Sequence, residues 1–207
     1  MISQNKIQIK MSDHDENKNE CEWFLICDEK NILLEKNESN MYKITFSIFS
    51  KNNEDTVLNV LKHGQLFDLL SALNPDVIEK ITVNEDDDDI HHVFIAFKNV
   101  DDGVDKDDDD DNIIHVHFSL KYQFKEHKCI ITSKKNQSIN HFKNVDENMK
   151  DSLFISQIKL KAKEKNEKTS MHLIFKLDGK SAASNFTKMY IGLYFKKIFY
   201  RFKKYFE

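Results

Sequence analysis

The chain has 207 residues, a formal net charge of −4, four glycines and one proline. That length allows one sizeable domain, or a smaller core carrying long polar insertions, and heavy use of Asn, Lys, Asp, Ile and Phe favours the second. Cys21, Cys27 and Cys129 are an odd, widely spaced set, which argues against a disulfide framework and for a reducing compartment.

Residues 1–20 are polar and aperiodic and are expected to be a disordered lead without the apolar core of a secretory signal. A single strand-rich domain is expected over 21–184. It opens with the apolar run Glu22–Cys27, read as a buried strand, and a turn at Asp28–Asn31 leading into Ile32–Glu35 as a hairpin. In Met41–Ser50, Tyr42, Ile44, Phe46 and Ile48 alternate with polar residues, the period of a half-buried strand.

The clearest internal helix follows, at about 56–73. Asn53, Asp55 and Thr56 suit its N-terminus, Leu66, Leu69, Leu70 and Leu73 form its apolar stripe, and Asn74-Pro75 stops it. Gly64 marks a kink or a break between two short helices. Segments 77–83, 92–99, 112–124 and 127–134 read as successive strands of an antiparallel meander with one wet face. Two of the joins, 84–89 and 101–112, are dominated by aspartate, and charge of that density predicts disordered loops. After a polar linker, 155–161 and 171–177 bracket a charged turn at 163–170 and form a final hairpin.

The last segment, 185–207, is basic and aromatic. Wound as a helix, it puts Ile191, Phe195, Ile198, Phe199, Phe202, Tyr205 and Phe206 on one side and Lys196, Lys197, Arg201, Lys203 and Lys204 on the other. Such a helix suits an anionic lipid surface, a groove in a partner, or the protein's own sheet. These twelve residues are the candidate interaction site. No run of about 18 apolar residues occurs, so no membrane-spanning helix is expected.

Catalytic patterns are absent from the sequence. Gly179-Lys180-Ser181 resembles the end of a phosphate-binding loop, but the position that needs the first glycine holds Ile174. Around Gly103 an EF-hand register would put Lys98 at the first ligand position. His115 and His117, two apart on a strand, are weak metal candidates, with His91-His92 nearby and Cys27 and Cys129 on apolar strands. Their blander reading places the histidines on the polar face of the sheet and the thiols as small hydrophobes. No cofactor is expected. Nucleic acid is disfavoured because acidic loops repel phosphate and no basic domain face is legible before residue 159.

The fold expected from these features is α+β: an antiparallel β-sheet or β-sandwich of about seven to nine strands, one central helix and a C-terminal amphipathic helix. The function expected is that of a non-enzymatic adaptor or complex subunit, intracellular (cytoplasmic or nuclear), which acts by protein binding. One alternative is a peripheral membrane or lipid-binding module. Another is an enzyme of unrecognised type gathering His115, His117, Asp28 or Glu126 in a cleft.

Overall fold

The computed structural model describes residues 22–49, 56–62, 64–85, 90–98, 114–133, 153–165, 167–178 and 185–207. The lead at 1–20, Cys21, most of both acidic joins, the 134–152 linker and the Gly179–Ser184 stretch lie outside the described residues.

A single nine-stranded sheet forms the body. Its strands are β1 (Trp23–Glu29), β2 (Ile32–Asn37), β3 (Met41–Phe49), β4 (Ile78–Glu85), β5 (His91–Phe97), β6 (Ile114–Lys125), β7 (Lys128–Ser133), β8 (Leu153–Lys165) and β9 (Lys168–Asp178). The order across the sheet is β1-β2-β3-β9-β8-β7-β6-β5-β4, and neighbours in that order run antiparallel. Three helices accompany it: α1 (Val57–Lys62), α2 (Leu66–Leu73) and α3 (Asn185–Phe206).

Local chemistry explains most of the boundaries. Lys30 and Asn31 turn the first hairpin with φ of 55° and 58°, the left-handed pair that a two-residue hairpin requires. Asn37 is buried, and its side-chain oxygen accepts the Met41 N–H at 3.0 Å, fixing the entry to β3. Thr56 Oγ1 accepts the Asn59 N–H at 3.3 Å and caps α1. Gly64, at φ 68°, separates α1 from α2. The stretch expected as one central helix is therefore two short ones, broken at the glycine that allows a left-handed residue.

Strand alternation gives the sheet one apolar face. Leu34, Ile44, Leu173, Leu160, Ile131 and Tyr122 stand opposite one another in sequence from β2 to β6, a row crossing six strands. A parallel row runs Ile32, Phe46, Met171, Ala162, Cys129 and Phe124. Most of these side chains are buried in one continuous core with α1, α2 and α3. The sheet is thus one layer gripped by helices, rather than a sandwich.

Three further expectations are corrected. The run Trp23–Cys27 is an edge strand, with Phe24 and Leu25 exposed, because β1 has a neighbour on one side alone. The charged residues at 163–165 and 168–170 are strand, not turn, since their lysines project from the face opposite the core. The expected meander is present, with β4, β5, β6 and β7 each antiparallel to the next, while β3 pairs with β9 and so joins the first strands to the last. In addition, β4 runs to Glu85, two residues into the segment expected as loop at 84–89.

Candidate functional site

The apolar face of the sheet and the helix laid along it form the candidate site. α3 contacts β2 and β3, α2 contacts α3 and β4, and α1 contacts β7 and β8. Aromatic rings make the joins. Phe46 of β3 meets Phe199 with ring centroids 5.8 Å apart, Phe175 of β9 meets Phe195 at 4.9 Å, and Phe97 of β5 meets both Tyr194 (5.6 Å) and Phe195 (5.9 Å). α3 therefore reaches from the β2–β3 side to β5, with a layer of rings between helix and sheet.

At Gly192 the helix comes closest. A Cβ there would stand 2.9 Å from two ring carbons of Tyr42. Tyr42 is itself fully buried and stacked on Phe175, centroids 5.4 Å apart. Its hydroxyl has no hydrogen-bond partner among the described residues, and neither has that of Thr169, also buried on β9. Burial pushes the Tyr42 phenol up to about 12, so it is a neutral hydroxyl at physiological pH. Two neutral hydroxyls in an apolar interior are chemically suited to accept or donate to a polar group on an otherwise greasy molecule.

Polar contacts hold α3 on both flanks. On one side, Asp76 takes a bidentate contact from Arg201 and a 2.9 Å hydrogen bond from Lys197. Those two cations hold its carboxyl well below the usual carboxylate range. On the other side Lys196 donates to Cys27 Sγ at 2.8 Å and to Glu29 at 3.3 Å. Burial works against the Lys196 ammonium, but these hydrogen bonds outweigh it and raise its pKa. Cys27 packs against the core as a partly buried side chain, as its apolar strand suggests, and also accepts a hydrogen bond from a buried lysine.

The Asp76 contact sets a pH expectation. A carboxyl depressed in the folded state stabilises fully above its unfolded value, about 3.9, and loses that contribution as pH falls through the lower folded value. Asp76 is half exposed, so solvent screening keeps the contribution to about 1 kcal/mol or less. Asp76→Asn is expected to lower urea-unfolding stability by that amount at neutral pH. The gap between variant and parent should close as pH drops below the carboxylate range.

The twelve residues expected as an interaction surface are placed as follows. Ile191, Phe195, Ile198, Phe199, Phe202 and Phe206 are buried against the sheet, and Tyr205 remains exposed. Lys196 and Lys203 are buried, Lys197 and Lys204 exposed, and Arg201 intermediate. The aromatic face thus covers the protein's own core and does not point outward in this conformation.

His115 and His117 lie on β6 facing away from that core, one side of a register in which His92 pairs with Ser119. His92 Nδ1 and Ser119 Oγ are 2.8 Å apart, and burial lowers the His117 pKa. Among the described residues no three His, Cys, Asp or Glu side chains gather closely enough to hold a metal ion. Asp28, on β1, is separated from the β6 histidines by five strands in the sheet order. The structure does not bring the four hypothetical catalytic groups together on one strand pair. Cys129 is buried on the helix-covered face, its thiol pushed up to about 12 by burial.

No protein-family model matches the chain, and no curated protein matches its sequence. Solved structures do share its fold. The human StarD13 lipid transfer and protein localization domain superposes with a TM-score of 0.62 at 11% identity, over 90% of this chain and 90% of that one. A STAR-related lipid transfer protein from Xanthomonas axonopodis gives 0.59 at 9% identity, over 89% and 98%. Human StAR-related lipid transfer protein 5 gives 0.59 at 7% identity, over 89% and 86%. The fold is the START, or helix-grip, architecture: a large antiparallel sheet with internal helices and a C-terminal helix. This overturns the protein-binding adaptor reading, which rested on an outward aromatic helix that is instead the grip of the fold.

Proposed function

We propose that this protein is a non-catalytic lipid-binding module that holds an apolar molecule between α3 and the sheet. The observation that carries the reading is the apolar row from Leu34 to Tyr122, roofed by an amphipathic helix in the arrangement found in lipid transfer proteins. The unpartnered hydroxyls of Tyr42 and Thr169 support it, since each offers a hydrogen bond to the polar end of a lipid. Entry requires α3 to lift. The contacts of Lys197 and Arg201 to Asp76 are exposed enough to break at modest cost, whereas Lys196, which holds Glu29, is buried.

The test is retention of lipid by the full chain. After incubation with mixed phospholipid vesicles and repurification, native mass spectrometry is expected to show one lipid per chain. Tyr42→Phe removes an orphan hydroxyl, so it should melt at or above the parental temperature while retaining about three- to tenfold less lipid, the loss of roughly one hydrogen bond. A chain that carries no lipid after this treatment would remove the reading.

A further inference from the structure

The face of the sheet turned away from α3 carries a lysine array that the lipid-holding reading does not use. Ser47, Ser170, Lys163, Lys128 and Lys125 stand opposite one another from β3 to β6. The next row toward the strand ends is Phe49, Lys168 and Lys165. Three directly opposed lysine pairs result: Lys125 with Lys128, Lys128 with Lys163, and Lys165 with Lys168. Like charges facing each other across strands are destabilising. None of these five lysines forms an ion pair with a described residue.

The field extends inward along β8 through Lys161 and Lys159, where Lys161 and Lys43 help lower the His172 pKa, after burial. Nearby carboxylates are few among the described residues. Glu126 and Glu167 sit in the adjoining turns, and Glu164 alternates to the opposite face from Lys163 and Lys165. One exposed ring flanks the array: Phe49, at 58% exposure, with Lys168 Nζ 5.4 Å from its centroid. The strand ends that lead into the longer aspartate run, Phe97 and Ile114, are paired at the other end of β6. The strand ends that flank the shorter run, Glu85 and His91, pair at the end of β5 that meets Leu120 of β6, toward the lysines.

We infer that this lysine array, with Phe49 at its rim, docks the protein on an anionic lipid membrane. An anionic surface relieves the cross-strand repulsion that water alone leaves in place. Lysine stems with an aromatic ring at the edge match the charged headgroup layer and the boundary beneath it. The array also differs from the α3 basic residues, whose neighbours are internal. A nucleic acid would satisfy the charge, but it gives the exposed Phe49 ring at the rim no layer to enter. The inference goes beyond lipid holding: membrane docking and an interior ligand are separable.

Flotation of the full chain tests it, using phosphatidylcholine vesicles with and without about a third phosphatidylserine. The parent is expected to float with the anionic vesicles alone and to be released by high salt. The combined Lys125→Gln, Lys128→Gln, Lys163→Gln and Lys168→Gln variant should melt no lower than the parent, because repulsion is relieved. It should bind at least about a hundredfold more weakly, at roughly fivefold per lysine. Phe49→Ala should weaken binding several-fold. Equal flotation of parent and variant, or equal binding to neutral vesicles, overturns the proposal. So does a parent that ignores vesicles but binds duplex DNA through these lysines. Lipid retention in the native mass spectrum is read separately and does not decide this outcome.

Discussion

A chain ended at Asn185 is expected to lose its fixed tertiary structure. Removing α3 uncovers the apolar rows of the sheet and deletes Ile191, Phe195, Ile198, Phe199, Phe202 and Phe206, all buried. Burial of one such side chain contributes about 1.5–3 kcal/mol, so six together match or exceed the net stability of an ordinary domain, about 5–15 kcal/mol. Near-ultraviolet circular dichroism and a thermal melt check this. The truncated chain should show no cooperative transition and should aggregate. A milder version keeps the helix: Phe202 is fully buried, and Phe202→Ala should cost about 3–5 kcal/mol. Were the truncated chain soluble, monomeric and cooperatively melting, the grip assigned to α3 would be wrong.

Gly192→Val is expected to be the most damaging single change in α3 that removes no contact. Alanine at an exposed helix position gains about 1 kcal/mol over glycine. Here, though, the added Cβ meets the Tyr42 ring at 2.9 Å, and that ring is held against Phe175 and cannot swing away. Overpacking of this kind costs about 1–3 kcal/mol, so Gly192→Ala should be mildly destabilising and Gly192→Val clearly worse. Rescue makes the test specific. Combining Gly192→Ala with Tyr42→Leu should recover stability relative to Tyr42→Leu alone, because the helix-propensity gain is then unopposed. Urea denaturation of the four proteins gives the coupling. A purely additive cycle would show that helix and ring do not meet.

Much of this architecture is legible in the sequence because side-chain periodicity reports directly on burial. Alternation in Met41–Phe49 and through β6 marks both strands and their inward faces. Thr56 and Gly64 act where they were expected, as cap and break. The destination of an amphipathic helix is different. The same aromatic stripe satisfies a bilayer, a partner groove or the parent sheet, and α3 proved to cover its own core. Strand order was also hidden, since alternation within β3 carries no information about β9 more than a hundred residues later. Part of the lysine array falls in the charged turn expected at 163–170, because Lys163, Lys165 and Lys168 look solvated in one dimension. Only the register of β6, β7, β8 and β9 aligns them into a face.

The pairing of β3 with β9 has a consequence for how the protein comes into being. On the ribosome, the greasy side of β3 emerges well before its neighbour β9 and its cover α3, which follow more than a hundred residues later. Native closure must await those later segments, and long-range pairing of this sort is slow and leaves sticky surface bare in the interval. Co-translational chaperone capture would then be a requirement of the topology itself.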